Sequence, residues 1–171
     1  MASLFVSLGR SLVKLLIALP VIIGLSISSP AMAAQWDAET LTVPASPGGQ
    51  QVTFSEADIK AGSKLFKGNC GTCHNAGITK TNQNVGLDPE TLALATPARD
   101  NVDALVAFMK DPSSFDGEYS IADTHPSTSS SDIFVQMRNL NDDELSQIAG
   151  YILTAPKVMG PNQWGGGKIY F

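Results

Sequence analysis

Positive charge is scarce in this chain. Eleven Lys and Arg stand against sixteen Asp and Glu, giving a formal charge of −5. No Lys/Arg stripe is present to neutralise phosphates, so nucleic acid is not an expected partner. Charge of either sign is low, at 16%, against 43% hydrophobic residues. A disordered acidic tail is thereby excluded, because it needs low hydrophobicity and high net charge. Long apolar runs are nearly absent too. One stretch near the N-terminus is long enough to consider, which excludes a multi-pass membrane protein. At 171 residues the chain is short for two large domains. Cysteine and histidine occur twice each. No Ser/His/Asp or paired-carboxylate arrangement stands out, so the chain does not read as an enzyme and no small-molecule substrate is expected.

What is present starts at the N-terminus. Residues 1–33 hold Arg10 and Lys14 and no acid. Leu15 to Leu25 is apolar, and Ala31-Met32-Ala33 follows a short Ser-rich stretch. A basic start, an apolar middle and an A-x-A site are the parts of a secretory signal peptide. Pro20 and Gly24 interrupt the apolar run, which fits a cleaved signal better than a retained anchor. The expectation is a signal peptide over 1–33 and a single exported domain over 34–171. Losing Arg10 and Lys14 with the leader takes the formal charge from −5 to −7. Such a protein should meet cationic surfaces by salt-dependent steering.

Both cysteines sit in Cys70-Gly71-Thr72-Cys73-His74. In an exported chain two cysteines first suggest a disulfide. The string C-x-x-C-H, however, is the attachment sequence of c-type haem. Two thiols add across the two porphyrin vinyl groups, and two intervening residues set their reach. The following His74 then lies under the iron as proximal ligand. A thioredoxin-like redox site would want the motif inside a βαβ pattern, and none is present. The cofactor expected is one covalently bound haem c, held at Cys70, Cys73 and His74.

Around the motif the sequence reads as mostly helical. Leu41-Thr42-Val43 and Gln51-Val52-Thr53 flank a turn-rich segment, predicting a small hairpin over about 41–53. Ser55 opens a helix with Glu56 and Asp58 in its first turn, and Gly68 closes it before the haem motif. Its face is Ile59, Gly62, Leu65 and Phe66. A short helical turn is expected near Pro89–Leu94. A second helix spans Val102–Lys110, capped by Asp100 or Asn101. A third, short helix is expected at about Ser131–Asn139. A last one runs from Asp142 to Leu153, capped by Asn141 and terminated by Pro156.

The ligand on the iron's other side is open on these residues alone. Candidates are His125, Met109, Met137 and Met159. A Met would raise the potential. His125 lies in a loop and precedes Pro126, which restricts its backbone. Met109 reads as core, on the apolar face of a helix.

A helix, the haem motif at its end, loops and a C-terminal helix resemble a class I cytochrome c. Gly62 and Phe66 look like that fold's small and aromatic pair on the first helix, and Gly150-Tyr151 like their partners on the last. The strings LTVP, GITKTN (77–82), ETLALATPARDN, SDIF, MRNL, IAGYIL and WGGGKIY are similar to a narrower group. It is the cytochrome c-550 family, low-potential haem subunits of photosystem II. The resemblance spans nearly all of residues 34–171. It implies a mostly α, class I cytochrome c fold with a small N-terminal β-hairpin and an extended C-terminal tail. It implies bis-histidine ligation, with His74 proximal and His125 distal. Thr79, Thr81 and Asn82 fall where the family chain passes the haem propionates. Leu92, Leu105, Met109, Phe115, Ile121 and Met137 fall where haem packing is expected. The implied location is the thylakoid lumen, peripheral on the membrane. The implied partners are the lumenal domains of the photosystem II core and another small extrinsic subunit. The implied role is stabilising the manganese–calcium cluster and retaining calcium and chloride. The tail at about 160–171, with Trp164, Tyr170 and Phe171 among glycines, would be a docking element or, with equal weight, a segment folded back on its own domain. A soluble one-electron carrier is the alternative function.

Overall fold

The computed structural model describes residues 36–160 and 162–165. The expected signal peptide and the end of the tail, with Tyr170 and Phe171, lie outside the described residues. Five α-helices and two small sheets appear among the described residues. They are α1 (Ala38–Leu41), β1 (Thr42–Pro44), β2 (Gln51–Thr53), α2 (Glu56–Asn69), β3 (His74–Asn75), β4 (Ile78–Thr79), α3 (Pro89–Leu94), α4 (Val102–Lys110) and α5 (Asp142–Met159). A 3-10 turn covers Val135–Met137.

Strand β1 pairs antiparallel with β2, Val43 opposite Val52. Leu41, read as strand, instead closes α1, whose N-cap Asp37 accepts from the Thr40 amide. Helix α2 starts where Ser55 places it. The Ser55 hydroxyl accepts from the Asp58 amide, and the Asp58 carboxylate accepts from the Ser55 amide. This reciprocal box satisfies two donors that a helix start leaves orphaned. Asn101, rather than Asp100, caps α4 through the Ala104 amide. Asn141 and Glu144 form a second box on α5.

The central packing is α2 against α5, with α4 also packed on α5. Ile59, Phe66, Leu105, Leu145, Ile148 and Ala149 are buried there. Gly62 sets the approach: a Cβ at that position would sit 2.0 Å from the Gln147 carbonyl oxygen. Only a residue without a side chain lets the two backbones come so close. Gly150 has a different neighbour from the one expected. A Cβ there would meet the ring of Phe54 at 2.8 Å, so the residue makes room for the chain just before α2.

Two helix boundaries differ from the sequence reading. Helix α5 runs through Pro156 to Met159. Proline costs one helical hydrogen bond. The last turn is held by other contacts: Ala155 is buried, and Lys157 Nζ donates to the carbonyl of Thr42 at 2.6 Å. The helix expected at about 131–139 shrinks to Val135–Met137. The Ser130 carbonyl accepts from both Ile133 and Phe134, and the Ser127 and Ser130 hydroxyls bond each other. Such local side-chain bonding competes with a regular helix.

Candidate haem site

The end of α2 delivers the first ligands. Cys70 is its C-cap, and the amides of Cys73 and His74 both donate back to the Cys70 carbonyl. The motif is thus wound into a tight turn. It then enters the β3–β4 hairpin, in which His74 pairs with Thr79. The two residues between the strands, Ala76 and Gly77, have φ of 49° and 81°. Two positive values are what a tight two-residue hairpin turn requires. The sequence carries Ala-Gly there rather than Asn-Gly, and the hairpin was not expected from it.

His125 arrives from the other side. Its amide donates to the Ile121 carbonyl at 2.8 Å. After Pro126, the amides of Thr128 and Ser129 donate to the Met109 and Lys110 carbonyls. These are C-terminal carbonyls of α4 that would otherwise lack partners. The Ser/Thr-rich run therefore ties the His125 loop to α4.

The two imidazoles lie with ring centroids 6.1 Å apart and planes tilted by 53°. A metal–imidazole bond of about 2 Å, with about 1 Å from nitrogen to ring centre, puts two ligands on opposite sides of one ion about 6 Å apart. His74 Nδ1 lies 3.1 Å from Thr79 Oγ1, and His125 Nδ1 lies 3.0 Å from the Pro126 carbonyl oxygen. A carbonyl can only accept, so His125 Nδ1 carries a proton. The same assignment at His74 leaves Nε2 of both rings for a metal, the arrangement that second-shell partners usually enforce. Burial, and secondarily the His125 ring, pushes the His74 pKa down to about 4. Burial also lowers that of His125, with the Arg99 charge adding to it and the Pro126 carbonyl opposing it. Both rings are thus neutral at physiological pH, as metal ligands must be.

Cys70 and Cys73 are both half-buried. Burial, with Cys73 beside it, pushes the Cys70 thiol up to about 12. A redox C-x-x-C motif depends on a depressed thiol pKa, so the chemistry runs against that reading. The thiols and both histidines line a cavity of about 1000 Å³. That is at the upper end of cofactor and ligand pockets. Leu92, Leu105, Met109, Phe115, Ile121 and Met137 all line it. So do Thr79, Thr81 and Asn82. The Thr79 hydroxyl also lies within hydrogen-bond reach of His74 Nδ1. The donor set, the spacing and the apolar lining fit a covalently held haem. Met109 and Met137 line the cavity as well, but Met159 does not, being at the end of α5.

Of the two readings of the tail, a docking element or a segment folded back on its own domain, Trp164 follows the second. Its side chain is 1% exposed. Its ring lies 5.5 Å from Tyr151 and 5.9 Å from Phe66, and its Nε1 donates to the Leu87 carbonyl at 2.9 Å. The Gly165 amide donates to Ala76 in the hairpin turn. A Cβ on Gly77 would strike the Trp164 ring at 2.9 Å, so this glycine serves both the turn and the latch. Folding the indole inward buries a large apolar ring and still satisfies its N–H.

Comparison with known proteins agrees with this geometry. The family described as the cytochrome c-550 domain matches residues 34–171. Photosystem II extrinsic protein V of Prochlorococcus marinus (strain MIT 9303) is 79% identical over 171 residues, covering 100% of both chains. The protein of that name from Porphyra purpurea is 53% identical over 146 residues, 85% of this chain and 89% of its own. Among solved structures, cytochrome c549 superposes with a TM-score of 0.73 at 48% identity, covering 75% of this chain and 98% of that one.

Proposed function

The chain belongs to the cytochrome c-550 family, and we propose that it is an extrinsic, lumenal haem subunit of photosystem II with bis-histidine iron. The observation that carries the haem assignment is the pair His74 and His125, with ring centroids 6.1 Å apart in a cavity that also holds Cys70 and Cys73. The names of the relatives support the photosystem assignment.

A haem c bound here supplies a one-electron iron couple. The residues of this chain set its surroundings. Cys70 and Cys73 would anchor it by thioether bonds, one at the end of α2 and one in the following turn. His74 and His125 would both hold the iron through imidazole nitrogen. Thr79 and the Pro126 carbonyl fix the two imidazoles. Thr81 and Asn82 are proposed to meet the propionates. The apolar residues of the cavity exclude water.

Docking is assigned to the lumenal face of the photosystem II core, beside a second small extrinsic subunit. There the protein stabilises the manganese–calcium cluster and helps retain calcium and chloride. No helix among the described residues is long and apolar enough to cross a membrane, which suits peripheral association. The acidic balance suits docking to cationic lumenal surfaces. Reconstitution tests this reading. Photosystem II particles are stripped with high salt, the protein is added back, and oxygen evolution is measured in calcium- and chloride-poor medium. Rebinding with restored activity is expected. Absence of both would transfer the assignment to a soluble electron carrier.

A further inference from the structure

Arg99 follows α3 and is 7% exposed, yet it lines the cavity. Among the described residues it forms no ion pair; the two found are Lys60–Glu56 and Lys110–Asp142. Its Nη2 donates to the carbonyls of Ser113 and Ser114, at 3.0 and 2.6 Å, and to the Ser113 hydroxyl at 3.3 Å. Its guanidinium carbon lies 4.0 Å above the centre of the Phe108 ring. That ring in turn meets His125 edge-on, with centroids 4.9 Å apart.

No protein carboxylate among the described residues pairs with this cation, and carbonyl dipoles and an aromatic face offset part of the cost of burying it. The arrangement has two consequences at the cavity. The guanidinium fork pins Phe108 in one orientation, and Phe108 limits how the His125 ring can rotate. The positive charge also sits in a poorly screened region, where it acts at longer range than on the surface. We infer that Arg99 is a positioning residue for the distal ligand and an electrostatic bias on the iron, acting through Phe108 on ring orientation and through its charge on redox balance. The inference rests on the haem-binding reading. A cation at this place disfavours the more positive ferric state. Its removal lowers the reduction potential.

The test uses purified holoprotein of wild type, Arg99→Gln, Arg99→Lys and Phe108→Leu. Covalent haem is read by intact mass, the midpoint potential by spectroelectrochemical titration, and ligand orientation by the ferric low-spin EPR signature. Arg99→Gln is expected to keep its haem, show a lower potential and alter the EPR anisotropy. Arg99→Lys keeps the charge but loses the planar fork, so its potential stays nearer wild type while its EPR signature shifts. Haem present with wild-type potential and EPR in Arg99→Gln overturns the inference. No haem in wild type overturns the haem reading itself. If Arg99→Gln does not fold, Phe108→Leu decides: a shifted EPR signature supports the relay, and an unchanged one overturns it.

Discussion

Replacing Trp164 by Ala separates two views of the C-terminal tail. Trp164 is 1% exposed, in contact with Phe66 and Tyr151, and bonded through Nε1 to Leu87. Large-to-small changes of buried Trp cost about 3–5 kcal/mol. The Leu87 carbonyl also loses its donor, worth about 1–3 kcal/mol if water does not replace it. The released tail lets water in, which argues for the lower part of the combined range, about 4 kcal/mol. A chain of this size loses about 3–4 °C per kcal/mol, so the melting temperature should fall by about 12–16 °C. Trp164→Phe keeps most of the apolar contact and loses the N–H, so about 1–2 kcal/mol is expected. The assay is thermal and denaturant unfolding of isolated holoprotein. An exposed docking tryptophan would change the isolated protein by less than about 0.5 kcal/mol. A Trp164→Ala variant that melts with wild type would refute the latch.

Three further outcomes follow from the same contacts. Gly62→Ala places a Cβ 2.0 Å from the Gln147 carbonyl oxygen on α5, a backbone atom that cannot rotate away. The helices must part, at the upper end of the about 1–3 kcal/mol typical of overpacking, and a wild-type melting curve would contradict the crossing. Ser55→Ala removes the α2 cap and should cost about 1 kcal/mol at neutral pH. The Ser55 side chain and amide hold the Asp58 carboxyl below its ordinary value, so this stabilisation is present above that value and is lost as pH falls through the lower, folded one. The wild-type advantage over Ser55→Ala should therefore shrink below about pH 4; an advantage that grows there would contradict the assignment. Thr79→Val removes the partner of His74 Nδ1. A less basic proximal imidazole stabilises ferric iron less, so spectroelectrochemistry should show a higher potential, and an unchanged one would remove Thr79 from the ligand's support.

Local chemistry was the legible part of this sequence. Ser55 and Asn141 announced their helices because capping uses side chains a few residues from the backbone they serve. Features that depend on distant partners were harder to read. Pro156 suggested an end to α5, but carbonyls of α1 and β1 hold Lys157 in the next turn. Docking and folding back were equally open for Trp164, because nothing near it in sequence shows that Leu87 would accept its N–H. Arg99 and Phe108 were missed as neighbours of His125. They are separated from it in sequence by 26 and 17 positions, and they meet it only when α4 and the loop after it close the cavity. His125 itself was narrowed by scarcity, since the chain has one histidine besides His74. The family resemblance then pointed to it, and its ring now lies opposite that of His74.

Axial ligation of the iron is the claim on which the rest depends, and EPR with magnetic circular dichroism on ferric holoprotein reads it directly. Wild type should show a six-coordinate, low-spin bis-imidazole signature. His125→Met should keep the covalent haem, replace that signature with a histidine–methionine one and raise the potential. A wild-type methionine signature, or a His125→Met spectrum identical to wild type, would contradict the account.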